Sequence, residues 1–305
     1  MSVAATGRIL TTLRIESCSV PIERAGRTIY DHHGPLRFNT VVRDRIQQNI
    51  AMSTPFTPDP ATAALLAPTG RLRASINLGN PILANTDPAT GRARGVSVDL
   101  AHALAERLGV PLETIEFSAA TKSVDAVTRG VADVGFFAID PLRGAEIAFT
   151  DAYVLIEGAY LVRDDSPCMA NDRVDRAGMR VVVGKGSAYD LFLTRELKQA
   201  EFVRVPGAAE VVAALRAGEA DVAGGIRQVL VEVTERTPGL RVLPGRFMVI
   251  RQAMGQARGR TAAADAALRA FVEEMKASGF VADALHRHDI AGAVVAPPDA
   301  ASPAA

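Results

Sequence analysis

One segment pattern occurs twice in this chain and restricts the folds that the chain can adopt. The copies run from Val124 to Val134 and from Val212 to Val222, and both contain Gly and Ala-Asp-Val at matching positions. In each copy an amphipathic helical stretch ends at a glycine that can take a positive φ, and an apolar strand follows. A single helix–glycine–strand joint is common. Two joints at matching places indicate a duplicated α/β unit.

Strand and helix patterns alternate from Arg71 onward, which is typical of an α/β protein with a mainly parallel sheet. The first unit is expected to contain strands at 72–76, 112–117 and 133–139 and helices at 98–108 and 123–128. The second unit is expected to contain strands at 179–183 and 202–205 and helices at 187–197 and 209–217. A strand at 247–254 and one long amphipathic helix at 263–285 follow.

Two similar units predict two lobes with a cleft between them, because ligands of open α/β sheets lie beyond the carboxyl ends of the strands. The second unit is complete before the last strand, so that strand and helix are expected to return to the first lobe. This requires two crossings, near Leu161–Asp164 and near Pro244–Phe247, in the manner of a hinge. The expected lobes are residues 67–162 plus 246–290 and residues 163–245.

The two ends of the chain differ from the repeated units. Residues 1–66 are expected to be a disordered extension or the product of a mis-assigned start, since a more conventional start stands at Met52. Residues 291–305 are rich in Ala and Pro and are expected to form a disordered tail. The first residues do not have the pattern of a secretory signal. A cytoplasmic location therefore stays open beside an exported one.

Composition narrows the classes of partner. Lys plus Arg and Asp plus Glu both number 34 in the 305 residues, so no net charge favours nucleic acid or an anionic membrane. His286 and His288 stand at the end of the last helix, and we interpret them as a solvated helix terminus rather than a metal site. Ser, Cys and His residues form no nucleophile–base pattern. The sequence thus predicts a monomer with no cofactor and no metal.

Three motifs resemble those of the family 3 solute-binding proteins of ABC transporters, and the resemblance extends over roughly Gly70 to His288. The motifs are Asp140–Tyr153, Val183–Tyr189 and Gly95–Ala101. The resemblance implies a two-lobed periplasmic-binding-protein fold of type II. It also implies a small ligand, in most members a polar amino acid, and an ABC permease as partner.

Arg143 and Ser187 are the main candidates for binding a carboxylate. Arg143 lies just beyond a buried strand, where a guanidinium can hold a carboxylate through two parallel hydrogen bonds, and the family uses the matching arginine in this way. The alternative is a surface ion pair with Glu146. Ser187 is expected to cap a helix whose free N–H groups favour an anion, although a cap without a ligand is the alternative. One carboxylate that touches both residues would hold the lobes together.

Other residues of the matching segments are weaker candidates. Lys122 could meet a second anionic group or be a solvated loop lysine. Asn77 and Asn80 suit hydrogen bonding to hydroxyls or carbonyls, but Asn also favours turns. The remaining residues expected to contact the ligand stand in the same segments: Ala138, Ala188 and Tyr189.

The sequence departs from the family pattern after Asp221. Members that bind amino acids have an aspartate for the α-ammonium a few residues beyond this strand. Ile226 stands there in this chain and is itself expected to contact the ligand. An unpaired buried ammonium is unfavourable by several kcal/mol. An organic acid, or an acid with a neutral nitrogen group, therefore fits better than a standard amino acid. Arg227 could bind a second carboxylate or remain on the surface.

Three functions are compatible with these features. The favoured one is a non-enzymatic receptor that closes on a small carboxylate and delivers it to an ABC importer. The second is an enzyme on the same fold, since cyclohexadienyl dehydratase resembles these receptors. It needs a general acid or base, and the segments expected to face the cleft offer only Asp140. The third is a soluble sensor without a permease.

Overall fold

The computed structural model describes residues 56–298 and, before them, the four short strands of an N-terminal unit. Met1–Met52 and Ser53–Ala305 are two separate compact units. The first contains two antiparallel pairs, β1 (Thr12–Ile15) with β2 (Cys18–Pro21) and β3 (Tyr30–Asp31) with β4 (Gly34–Pro35). Apart from these strands and residues 56–66, the expected N-terminal extension lies outside the described residues.

The first α/β unit of Ser53–Ala305 contains the elements expected from the sequence and several short additions. Its helices are α1 (Pro60–Leu66), α2 (Val96–Leu108) and α3 (Ala120–Thr128). Its strands are β5 (Leu72–Asn77), β6 (Asn85–Thr86), β7 (Ala93–Arg94), β8 (Leu112–Phe117) and β9 (Val134–Ala138). A 3-10 turn, Arg143–Ala145, leads to the long strand β10 (Ile147–Arg163).

The second unit repeats this order and then returns to the first. After a 3-10 turn at Asn171–Arg173 come strands β11 (Arg180–Gly184), β12 (Glu201–Val205), β13 (Val222–Ile226) and β14 (Leu240–Val242). Its helices are α4 (Ala188–Glu196), α5 (Ala208–Arg216) and α6 (Arg227–Arg236). The chain ends with β15 (Met248–Ala257), α7 (Ala262–Ala277), α8 (Phe280–Arg287) and β16 (Val294–Val295).

Within Ser53–Ala305, one sheet runs through both α/β units in the order β12-β11-β13-β10-β15-β9-β5-β8. Strands β14 and β16 also pair with β10. The strands at its two ends are parallel, as expected for βαβ units: β5 with β8 and β9, and β11 with β12 and β13. The long strands β10 and β15 are antiparallel in the middle. The protein is therefore an α/β molecule of two lobes. The carboxyl ends of the parallel strands in the two lobes border the region between them.

The duplicated Ala-Asp-Val segments make the same contact in both lobes. Asp133 accepts hydrogen bonds from the Arg73 backbone N–H at 3.0 Å and from its Nε and Nη2 at 3.1 and 2.8 Å. Asp221 accepts the same three bonds from Arg180 at 3.0, 3.1 and 2.9 Å. Each aspartate thus joins the start of its own strand to the start of the neighbouring strand, so the repeated residue has a structural role.

The last long helix predicted from the sequence is two helices. Gly279 separates α7 from α8 with a φ of +84°, a conformation that other residues rarely adopt. The expected boundaries at the two ends also differ from the described structure. Residues 60–66 form α1 with Leu66 fully buried, and Val294–Val295 pairs with β10 as β16.

The hydrophobic cores mark where β10 passes from one lobe to the other. Its buried side chains from Tyr153 to Ile156 belong to the core around α2, α7 and α8, and those from Ala159 to Val162 belong to the cores of the second lobe. Gly158 lies between them and pairs with both Met248 and Ile226. We therefore propose that the first crossing lies at residues 157–158, before the segment expected from the sequence.

Candidate functional site

Arg143 lies at the contact between the lobes as a buried cation. It stands in the 3-10 turn after β9, and 8% of its surface is exposed. Its Nη1 donates to the Ala138 carbonyl oxygen at 3.1 Å, and its Nη2 donates across the lobes to that of Gly186 at 3.0 Å. Burial lowers the pKa of this guanidinium, and the nearby charge of Asp140 offsets only part of that effect. Among the described residues, no carboxylate forms an ion pair with Arg143.

The start of α4 faces Arg143 from the second lobe. Ser187 is the N-cap, as predicted, and its Oγ accepts the Asp190 N–H at 3.1 Å. The Asp190 carboxylate turns back to accept the Gly186 N–H at 2.7 Å and also pairs with Arg204 at 2.9 Å. One of the N–H groups that the sequence suggested for an external anion is therefore occupied by the protein's own carboxylate.

A second polar contact joins the lobes close to the first. Arg195, on α4, forms an ion pair with Asp140 at 2.7 Å, and Asp140 is only 4% exposed. The other oxygen of Asp140 accepts the Leu142 N–H at 2.9 Å. Both oxygens of the one acidic candidate for general catalysis are thus engaged within the protein.

Apolar residues of the second lobe pack against the core of the first. Ile226 is 9% exposed and belongs to the first-lobe core, and Ala188, Tyr189 and Val229 contact the same core. Burial raises the pKa of the Tyr189 phenol, although a hydrogen bond with Ser187 opposes the shift. The position at which the sequence departs from the family pattern is therefore part of an apolar contact between the lobes.

A cavity of about 380 Å³ lies beside this apolar contact. Gly79 and Pro81 contribute to its wall from the first lobe, and Tyr189 and Ile226 contribute from the second. The rest of the wall comes from the starts of α5 and α6, from the end of β13, from the apolar faces of these two helices and from Thr237 after the end of α6. Its volume is within the range of about 300 to 1,000 Å³ that is typical of small-molecule sites.

The polar candidates from the first lobe have different surroundings. The Asn77 Oδ1 accepts the Gly79 N–H at 3.0 Å, which is the turn chemistry considered as an alternative. The Asn80 Oδ1 is buried without a hydrogen-bond partner. Lys122 lies in the first turn of α3 with an exposed side chain. Of these three, Asn80 alone combines burial with an unsatisfied polar atom.

Arg227 and His288 have partners within the protein. Arg227 pairs with Glu157 at 2.8 Å, and Arg246 pairs with the other oxygen of that carboxylate at 2.6 Å. His288 lies 3.0 Å from the Asp99 carboxylate, at the end of α8. Within the described part of the chain, no group of three or more His, Cys, Asp or Glu residues could hold a metal ion.

Comparison with known proteins identifies the family. The profile of the bacterial extracellular solute-binding proteins, family 3, matches residues 81–288. The chain belongs to this family. This family 3 solute-binding protein is 24% identical over 212 residues to a glutamine-binding protein of Geobacillus stearothermophilus. The aligned region covers 68% of this chain and 80% of the relative. Among the residues with described positions, no helix is long and apolar enough to cross a membrane.

Solved structures support the same fold. A mutant of ArgBP from T. maritima superposes with a TM-score of 0.64 and 20% identity, covering 75% of this chain and 99% of the other. AbpA from Streptococcus pneumoniae, bound to L-arginine, superposes with a TM-score of 0.63 and 18% identity, covering 73% of this chain and 96% of AbpA. The ancestral amino acid-binding protein AncCDT-1, a precursor of cyclohexadienyl dehydratase, superposes with a TM-score of 0.62 and 20% identity, covering 74% of this chain and 98% of AncCDT-1.

Sequence reasoning missed the carboxylates and cations that pair across the site. The Ser187-x-x-Asp190 spacing is a capping-box pattern and predicts that Asp190 turns back toward the helix start, although the observed donor is the N–H of Gly186, one residue before the N-cap. No local pattern indicated Arg195 as the partner of Asp140 or Glu157 as the partner of Arg227. These pairs are formed between segments that are distant along the chain.

Proposed function

We propose that this protein is a receptor that closes on a small carboxylate-bearing ligand and delivers it to an ABC-type importer. The observation that carries the proposal is Arg143, a buried guanidinium whose hydrogen bonds within the described residues go to two backbone carbonyl oxygens. A buried charge without an opposite charge is unfavourable, and a ligand carboxylate would supply that charge. Arginine also has further N–H donors for a bidentate contact.

Closure follows from the position of this guanidinium between the lobes. Its Nη2 contacts the Gly186 carbonyl oxygen of the second lobe. We propose that the carboxylate replaces this contact and also meets the start of α4 at Ser187 and Ala188. A ligand that touches both lobes favours the closed state because the open state lacks half of its contacts.

Delivery to an importer and an amino-acid-like ligand are inferred from the relatives. The curated relative is a glutamine-binding protein, and AbpA belongs to an amino acid ABC transporter. The family is described as extracellular, which agrees with a periplasmic receptor. Cell fractionation tests this location. Recovery of the protein in the cytoplasmic fraction alone would favour the soluble sensor instead.

Binding rather than catalysis is proposed because Asp140 is not free to act as an acid or base. Its oxygens are engaged by Arg195 and by the Leu142 N–H. The likeness to AncCDT-1 makes prephenate the appropriate substrate to test. Turnover of prephenate by the purified protein would contradict a purely binding function.

The test of carboxylate capture uses protein freed of ligand by unfolding and refolding. Organic acids and amino acids are screened by thermal shift, and the binding acids are measured by calorimetry. Arg143→Ala should abolish the thermal shift, whereas Arg216→Ala, an exposed arginine on α5, should preserve it. Undiminished binding by Arg143→Ala would overturn the proposed carboxylate site.

A further inference from the structure

The cavity beside the apolar contact, called the interlobe cavity here, has a wall without charged side chains. Its fourteen lining residues, all within the described part of the chain, include no charged side chain, and only Tyr189 and Thr237 bear a hydroxyl. The apolar part of the wall comes from both lobes, with Pro81 from the first lobe and Ile226 and Val229 from the second. A ligand enclosed there loses its water and gains apolar contact in exchange.

The carboxylates near the lobe contact are already paired. Asp140 pairs with Arg195, Asp190 with Arg204, and Glu157 with Arg227. Glu210 follows the lining residue Ala209, but its side chain is exposed and outside the cavity wall. A ligand ammonium in the cavity would therefore have to give up its hydration without gaining an ion pair, which is strongly unfavourable.

From this wall we infer that the preferred ligands are monocarboxylic acids with an aliphatic or aromatic body and no ammonium group. The inference rests on the proposed carboxylate capture by Arg143 and specifies the part of the ligand that Arg143 does not contact. Ile226 has a direct role in this specificity because it contributes an apolar surface to the cavity at the end of β13.

Two matched ligand pairs test the inference. Isocaproate and leucine differ only in the ammonium group, and so do hydrocinnamate and phenylalanine. Calorimetry on the refolded full chain should give at least tenfold tighter binding for the acid in at least one pair. Tighter binding of leucine, phenylalanine, glutamine or arginine than of both acids would overturn the inference while leaving carboxylate capture intact.

Isocaproamide separates the two proposals. This neutral amide has the same apolar body as isocaproate but no carboxylate, so it should bind at least tenfold more weakly. If the amide binds as tightly as the acid, carboxylate capture by Arg143 is wrong and the preference for carboxylic acids is overturned with it, whereas binding of the apolar body in the cavity is retained. If none of these compounds binds, both proposals are overturned.

Two substitutions on α6 test whether the ligand binds in the cavity. Val233 lines the cavity, whereas Val231 on the same helix does not line it and is 39% exposed. Val233→Asp should weaken binding of the preferred acid at least tenfold, and Val231→Asp should leave it unchanged. Equal affinities in both variants, with both folded by circular dichroism, would show that the acid binds elsewhere and overturn the inference.

Discussion

The two strand-joining aspartates have the same hydrogen bonds but different burial. Asp133 is fully buried and also pairs with Arg260 at 3.2 Å, whereas the Asp221 side chain is 30% exposed. Removing one partner of a buried ion pair leaves an uncompensated charge, while water compensates a partly exposed one. The same residue in the same motif should therefore contribute differently to stability in the two lobes.

Substitution of each aspartate by asparagine checks this difference. Asp133→Asn is expected to lower the free energy of unfolding by about 3–5 kcal/mol, and Asp221→Asn by about 1 kcal/mol. Urea unfolding at about pH 7 measures both values. Equal losses for the two variants would contradict the argument from burial.

The effect of Asp221 should depend on pH. The hydrogen bond from Arg180 lowers the pKa of the Asp221 carboxyl in the folded protein. The ionised Asp221 carboxylate therefore contributes fully to the free energy of unfolding above its unfolded pKa of about 4, and this contribution is lost as the pH falls through the folded pKa. The stability difference between wild type and Asp221→Asn should narrow between about pH 5 and pH 3. A constant difference over this interval would exclude the linkage.

At the scale of elements, β10 is the strand that both lobes share in the sheet. It pairs with β15 on the first-lobe side and with β13 and β14 on the second-lobe side. Where it passes between the cores, a Cβ atom at Gly158 would lie 2.7 Å from the Met248 Cγ and 2.9 Å from the Phe247 ring. The crossing thus requires a residue without a side chain.

Gly158→Ala is expected to destabilise the protein by about 1–3 kcal/mol because of this overpacking. The control is Gly144→Ala, whose Cβ would have its nearest neighbour, the Phe149 ring, at 4.0 Å. The control should change the free energy of unfolding by less than about 0.5 kcal/mol. Equal effects of the two substitutions in urea unfolding would refute close packing at the crossing.

At the scale of the molecule, polar and apolar contacts among the described residues hold the lobes together. The polar contacts are the Asp140–Arg195 ion pair and the Arg143–Gly186 hydrogen bond. Ile226 and Tyr189 provide the apolar contact. Ligand binding therefore acts on lobes that already have affinity for one another, and weakening one contact should shift the balance toward the open state.

Arg195→Ala tests this balance. Loss of about 1 kcal/mol of interlobe attraction changes the ratio of open to closed molecules by about fivefold. The radius of gyration of the ligand-free protein, measured by small-angle X-ray scattering, should increase and should decrease again with saturating ligand. Arg216→Ala should leave it unchanged. An unaltered radius for Arg195→Ala would mean that the ion pair does not hold the lobes.

The local sequence determined the α/β class, the repeat and most of the elements, because periodicity and terminating glycines act over a few residues. It also placed Arg143 just beyond a strand and Ser187 at a helix start, since both positions follow from that order of elements. One local signal was misinterpreted: Gly279 lies inside an amphipathic pattern, yet it ends α7.

Only the tertiary structure decided which groups these residues meet. Gly186, the partner of Arg143, is 43 residues away along the chain, and the two residues meet because the lobes are in contact. Glu157, the partner of Arg227, is 70 residues away. For the same reason Ile226, which the sequence marked as a ligand-binding position without the usual ammonium partner, lies in the apolar wall of a cavity. Sequence patterns define which residues share a strand or a helix, whereas the packing of the two lobes determines which of them face one another.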